Sequence, residues 1–392
     1  MVKVDLSLRV APHKIATFTR AGPGSAQGES AMSLVNFLRF RRDIGAVISD
    51  EEYWDIRFRR RMYGDNLHNL LTSAQADTWQ IEAVYGGTGY PSLHLDAVAG
   101  ARKTLACWFE AGGERPKRVA DIARVVFDEL QKAIRARIDQ KLCFYYGFTT
   151  DDLYRGYYGD GQGKVPIRNK NVRDAAMALV KGNSKDPLLQ AVLETKAVVA
   201  GHDPEYGMTA YHLSAEKSIL GYVHEGFEAI GPGKYASGMV FGRHFNSRPF
   251  DMRIDGLPTG EGLLELILSA LRAKDHFKEV GGTFNIVLIN GQQQGHAARY
   301  SEILDARARL MAEIVRAYDA QLLEREAAAA LLEDIAVNNS PLPKVEADLA
   351  GAVFDPVALE FLLRGYKTAE LAAIAAAFRT EETGGEVTDD LN

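Results

Sequence analysis

The chain has 392 residues, 46% of them apolar and 25% charged, a balance that suits one large globular domain or two. A formal net charge of −6 excludes the basic footprint of a nucleic-acid binder. No apolar run reaches the length of a membrane span, MVKVDLSLRV is not a signal peptide, and Cys107 and Cys143 are too few for a disulfide framework, so a soluble, cytoplasmic protein is expected.

Val2, Val4, Leu6, Leu8 and Val10 alternate with polar residues, which predicts a strand, and Lys14–Arg20 reads as its return strand. Residues 21–52 open with Gly, Pro, Ser and Gln and continue as SLVNFLRFRRDIGAVI, whose spacing predicts a helix. Tyr53–Tyr63 reads as a strand, with Arg57, Arg59 and Arg61 on a solvated face. Residues 64–78 are polar and aperiodic. Trp79–Tyr85 is a predicted strand closed by Gly86-Gly87-Thr88-Gly89, and Ser92–Ala111 and Arg118–Arg137 carry helical spacing.

Residues 139–192 are rich in Tyr, Gly and Asp, with one predicted helix at Val172–Val180. Three strands follow at Lys196–Ala200, Met208–Leu213 and Gly221–Ile230, and Gly231-Pro232-Gly233 then leads into a helix at Tyr235–Gly242. Leu263–Arg272 reads as a helix, Gly281–Asn290 and Gly295–Tyr300 as strands, and Leu304–Ala336 as one long helix. Asp355-Pro356 caps a helix over Val357–Leu363, Thr368 opens a last one to Arg379, and the acidic tail EETGGEVTDDLN is expected to be disordered.

The stretch VVAGHD…TAYHLSAEKSILGYVHEGFEAIGPGKYASG resembles the strand–strand–strand–glycine turn–helix passage of proteasome β-type subunits and their bacterial relatives. LLELILSALR and GGTFNIVLIN resemble the helix and strand that follow there, and QIEAVYGGTGYPSLHL with RPKRVADIARVVFDEL an earlier part of the pattern. The resemblance implies an α+β fold, a four-layer αββα sandwich of the N-terminal-nucleophile type over residues 1–300. Insertions are then expected at 21–52 and 139–192, with a helical extension over 301–379 and the tail at 380–392.

In that family an N-terminal threonine, serine or cysteine attacks a carbonyl and its own α-amine serves as base. A lysine and an aspartate from the next strands tune the proton transfer, and backbone N–H groups at a glycine turn hold the oxyanion. With the hairpin placed at residue 1, the positions matching that site are Val2, Thr17 and Ser73, and none carries the required group. No lysine lies between Lys14 and Lys103. The resemblance therefore implies a non-catalytic subunit, a homo-oligomer as ring or dimer, with no cofactor and no metal. The alternative is a self-processed Thr/Ser-type peptidase or amidase. Thr17, Thr19, Ser25, Thr149 and Thr150 are candidate internal nucleophiles, although Thr149 and Thr150 before Asp151-Asp152 read more simply as a helix cap.

Other candidates have plainer readings. Gly159–Lys164 lacks the Ser or Thr of a phosphate loop, and His202-Asp203 lacks a second ligand pair. His212 and His224 read as core or rim histidines. Gly86, Gly87, Thr88 and Gly89 open a helix and form a candidate anion-binding turn. Tyr145, Tyr146, Tyr154 and Tyr157 form the candidate contact surface for a protein partner.

Overall fold

The computed structural model describes residues 33–373 except 56–59, 64–65, 113–114, 160–162, 184–185, 216–217, 250–255 and 365–366. The chain begins with β1 (Val35–Arg41), β2 (Ile44–Asp55), β3 (Arg60–Tyr63), β4 (Leu67–Asn69), α1 (Ser73–Trp79) and β5 (Glu82–Thr88). Helices α2 (Pro91–Glu110), α3 (Val119–Tyr146) and α4 (Thr150–Arg155) come next, then a ribbon of β6 (Tyr157–Tyr158) and β7 (Val165–Pro166). After α5 (Lys170–Val180) and α6 (Pro187–Leu193) run β8 (Lys196–Asp203), β9 (Gly207–Ser214), β10 (Ile219–Tyr222) and β11 (Phe227–Ile230). The remainder is α7 (Lys234–Asn246), α8 (Thr259–His276), β12 (Gly281–Asn290), α9 (His296–Arg299), β13 (Tyr300–Ile303), α10 (Asp305–Asp319), α11 (Arg325–Ala336), α12 (Leu342–Ala352) and α13 (Pro356–Leu362).

Two antiparallel sheets carry the architecture. One has the order β11-β1-β2-β12-β13, with β3 also on β2, and the other the order β10-β9-β8-β5-β4. Their side chains sort into three apolar cores. Leu38, Phe40, Ile48 and Ile286 of the first sheet pack with Phe241, Leu264, Ile267 and Ile314 from α7, α8 and α10. Ala83, Tyr85, Val199 and Leu213 of the second pack with Leu93, Leu105, Ile122 and Val126 from α2 and α3. The opposite faces meet each other, Val35, Phe37, Val47 and Ile289 against Val84, Val198, Ala200 and Met208. Full burial of each large side chain contributes about 1.5–3 kcal/mol, so these faces dictate the fold. No helix among the described residues is long and apolar enough to cross a membrane.

Several expected elements are corrected. The inserted helix within 21–52 is instead the β1–β2 hairpin at the centre of the first sheet, registered with Val35 opposite Ser49 and Leu38 opposite Ala46. Both faces of β1 are buried, so its apolar residues do not alternate, and Leu34 and Leu38 imitate a helical face. Asn36 interrupts that face as a buried polar residue donating to the Ser237 and Ser269 hydroxyls at 2.9 and 2.8 Å. The single strand expected over Tyr53–Tyr63 is the two arms of the β2–β3 hairpin, with Glu52 opposite Tyr63.

Residues 221–230 are not one strand either, because β10 belongs to the second sheet and β11 to the first. The expected strand at Gly295–Tyr300 is the one-turn helix α9 followed by β13, and the expected long helix Leu304–Ala336 is α10 and α11 with a break between them. Trp79 ends α1 rather than starting a strand. The expected hairpin at 1–20 and the tail lie outside the described residues, as does the basic cluster's tip at 56–59.

Candidate functional site

Ser33 stands two residues before the start of β1, and only 5% of it is exposed. Its backbone N–H donates to Oγ1 of Thr88, the last residue of β5, at 3.2 Å. The sheets approach closely here because Gly86 lacks a side chain: a Cβ there would lie 2.7 Å from Cγ1 of Val35. The N–H of Leu34 donates to Oδ1 of Asp50 on β2 at 2.8 Å, and that of Gly281 donates to Oδ2 at 3.2 Å. Asp50 is fully buried, and these charge-assisted bonds fix the heads of β1 and β12 against β2.

Asn66 bridges the sheets at the same end. Its Nδ2 donates to the Asp50 carbonyl at 2.7 Å, and its own carbonyl accepts from the Gly87 N–H at 3.3 Å. Gly231, at φ +98°, closes over Ser33 from the loop after β11. A Cβ at Gly231 would stand 2.2 Å from the Ser33 carbonyl oxygen, so only glycine fits in that conformation.

Behind this corner the Tyr85 hydroxyl is hydrogen-bonded to His94 Nδ1 at 2.5 Å. Burial, with a smaller contribution from His68, pushes the His94 pKa down to about 3, and burial pushes the Tyr85 hydroxyl up, so both rings stay neutral near pH 7. His94 packs directly on Gly87, where an added Cβ would lie 2.3 Å from Nδ1. At the other end of β5, the buried Glu82 carboxylate accepts from Arg299 Nε at 2.8 Å and bonds His296 Nδ1 at 2.7 Å. Across the second sheet Thr88 pairs with Lys196, and Lys196 with Ser214, which sets a polar row beside Ser33. The corner thus combines a serine at a strand head, a buried carboxylate and glycine backbone.

Of the sequence-derived site positions, Val2, Thr17, Thr19 and Ser25 lie outside the described residues. Ser73 is the first residue of α1, behind its cap Thr72, and does not belong to this corner. Gly86, Gly87 and Thr88 do belong to it, but as the end of β5 rather than as a turn; only Gly89, at φ +120°, leaves the strand. Thr149 caps α4 and accepts from the Asp152 N–H.

The tyrosines lie elsewhere and divide in two. Tyr145 and Tyr154 are exposed, while Tyr146 packs onto the α2–α3 core and Tyr157 is half-buried in the ribbon. Asp203 serves turn chemistry, accepting from the backbone N–H groups of Val119, Glu205 and Tyr206. Among the described residues no group of three or more His, Cys, Asp or Glu is placed to hold a metal ion. Ser33, Asp50 and Asn66, which form this corner, are not among the sequence-derived positions. The signal for them was Arg41-Arg42-Asp43, polar residues between two apolar runs, which is a hairpin pattern.

No family model matches the chain, and no curated protein does. Among solved structures it is similar to Anbu (ancestral beta-subunit) from Yersinia bercovieri, with 10% identity, a TM-score of 0.45, and coverage of 74% of this chain and 93% of that one. It is similar also to the Gly-1 mutant of Anbu from Hyphomicrobium sp. strain MC1, at 12% identity and a TM-score of 0.45, covering 74% of this chain and 95% of that one.

Proposed function

We propose that the chain is a proteasome-like subunit, a four-layer αββα sandwich, and that Ser33 is its nucleophile once the residues before it are removed. The observation carrying this reading is the place of Ser33 at the head of the central hairpin, between Thr88, Gly231 and the Asp50-bound N–H of Leu34. The family's hairpin then runs over β1 and β2, not residues 1–20, and the empty positions at Val2 and Thr17 lose their bearing on catalysis. Met32 precedes Ser33, so cleavage of that one bond frees the serine amine.

Freed, the amine takes the proton from Ser33 Oγ as the oxygen bonds to an amide carbonyl carbon. The backbone N–H of Gly89, the residue of this segment beyond the β5 ladder, holds the oxyanion, the leaving amine accepts the proton, and water hydrolyses the resulting ester. Because no lysine lies between Lys14 and Lys103, β2 to β5 supply none, and the amine is the base. That same gap favours the second reading, a non-catalytic subunit that assembles into rings.

Labelling with a fluorophosphonate separates the two. The catalytic reading expects one adduct on Ser33, abolished in Ser33→Ala. A folded protein starting at Ser33 that takes no label supports the non-catalytic subunit.

A further inference from the structure

A cleft of about 810 Å³ lies between α7, α8, the end of α10 and the start of α11, on the helical side of the first sheet. Its floor is a buried dyad. His244, 7% exposed, directs Nδ1 at Oε1 of Glu265 at 3.1 Å, and Arg325 Nη1 donates to the same oxygen at 2.8 Å. The ionised carboxylate only accepts, so Nδ1 carries a hydrogen. Against the opposing effect of burial, His244 and, to a smaller extent, Arg325 hold the Glu265 carboxyl below the usual range.

Nε2 is buried and has no partner among the described residues. A buried polar atom left without a partner is costly unless a ligand supplies one. The rim offers two charges of opposite sign, Arg243 and Glu324, both exposed and both without a side-chain partner among the described residues. Phe354, 64% exposed, adds an apolar wall. The other charged groups of the cleft are engaged with one another, Arg248 with Glu261 and Arg272 with Asp319.

We propose that this cleft binds a small zwitterion of the free amino acid or short-peptide class. The ammonium group meets Glu324, the carboxylate meets the Arg243 guanidinium, a polar group of the ligand pairs with His244 Nε2, and Phe354 covers an apolar side chain. The balance of charge disfavours a simple anion or cation, and the donor set does not suit a metal ion. The inference is independent of any role for Ser33.

The test is isothermal titration of the full chain with leucine, with leucylglycine, and with N-acetyl-leucine amide, which carries neither charge. Leucine or leucylglycine is expected to bind and the capped amide not to bind. Arg243→Ala and Glu324→Ala are each expected to weaken binding by about tenfold or more. Both side chains are exposed, so these variants keep the fold, which circular dichroism checks. Absence of binding by both zwitterions, equal binding of the capped amide, or affinity unchanged in both variants overturns the proposal.

Discussion

Replacing Glu82 with alanine is expected to be among the most destabilising single changes outside the apolar core. Its carboxylate is fully buried and engages Arg299, 3% exposed, through Nε, and His296 through Nδ1. Removing one partner of a buried ion pair costs about 3–5 kcal/mol, because the other charge stays behind uncompensated. Arg299 would keep Asp77 Oδ1 at 3.1 Å and the Ala76 carbonyl at 3.1 Å, but the Asp77 side chain is about half exposed and screened. The expected loss therefore falls at about 3 kcal/mol, the lower end of that range.

Glu82→Gln keeps the shape and one acceptor, and should lose about half as much. Paired with Arg299→Met, Glu82→Leu should recover most of the loss, since an apolar pair avoids desolvating charge. Urea unfolding followed by tryptophan fluorescence measures all three, and Trp79 sits on α1, the helix that supplies Ala76 and Asp77. A loss below about 1 kcal/mol for Glu82→Ala would refute the view that this cluster latches α1 and β5 to α9.

Three further outcomes follow from the same geometry. Gly87→Ala is expected to cost about 1–3 kcal/mol by overpacking against His94, and adding His94→Ala should relieve part of it; strictly additive losses would contradict the contact. Folded His94 stays neutral down to about 3, whereas the unfolded residue takes its proton near 6.5. The unfolded chain binds more protons between those values, so stability should fall as pH drops through that window. His94→Gln should flatten this part of the urea-midpoint profile, and an unchanged slope would count against it. Asp50→Asn is expected to cost about 1–3 kcal/mol, since one carboxamide cannot accept from both Leu34 and Gly281 as Asp50 does; equal urea midpoints would contradict that role.

Elements that bury one face, or that carry a cap, were legible in the sequence. Helices α2 and α5 follow from periodicity and the Asp355 cap of α13 from end chemistry, while β8, buried on both faces, is legible from its apolar β-branched run stopped by turn residues. The central hairpin was not, because a strand between two cores has no polar face, and β1 reads as a continuous apolar run. A hairpin that imitates a helix leaves the alternating residues 2–10 as the plainest first strand, and the positions expected for the site follow from there. Gly86, Gly87 and Thr88 were singled out for their glycines and do lie at the corner with Ser33. Asp50 and Asn66 act through backbone partners distant in sequence, Gly281 and Gly87, which no local pattern reveals.

Intact mass with N-terminal sequencing of the purified protein bears most directly on the proposed role of Ser33. The expected result is a mature chain whose first residue is Ser33. A folded chain in which Met32 remains joined to Ser33 would contradict it, because the amine that serves as base would still be an amide.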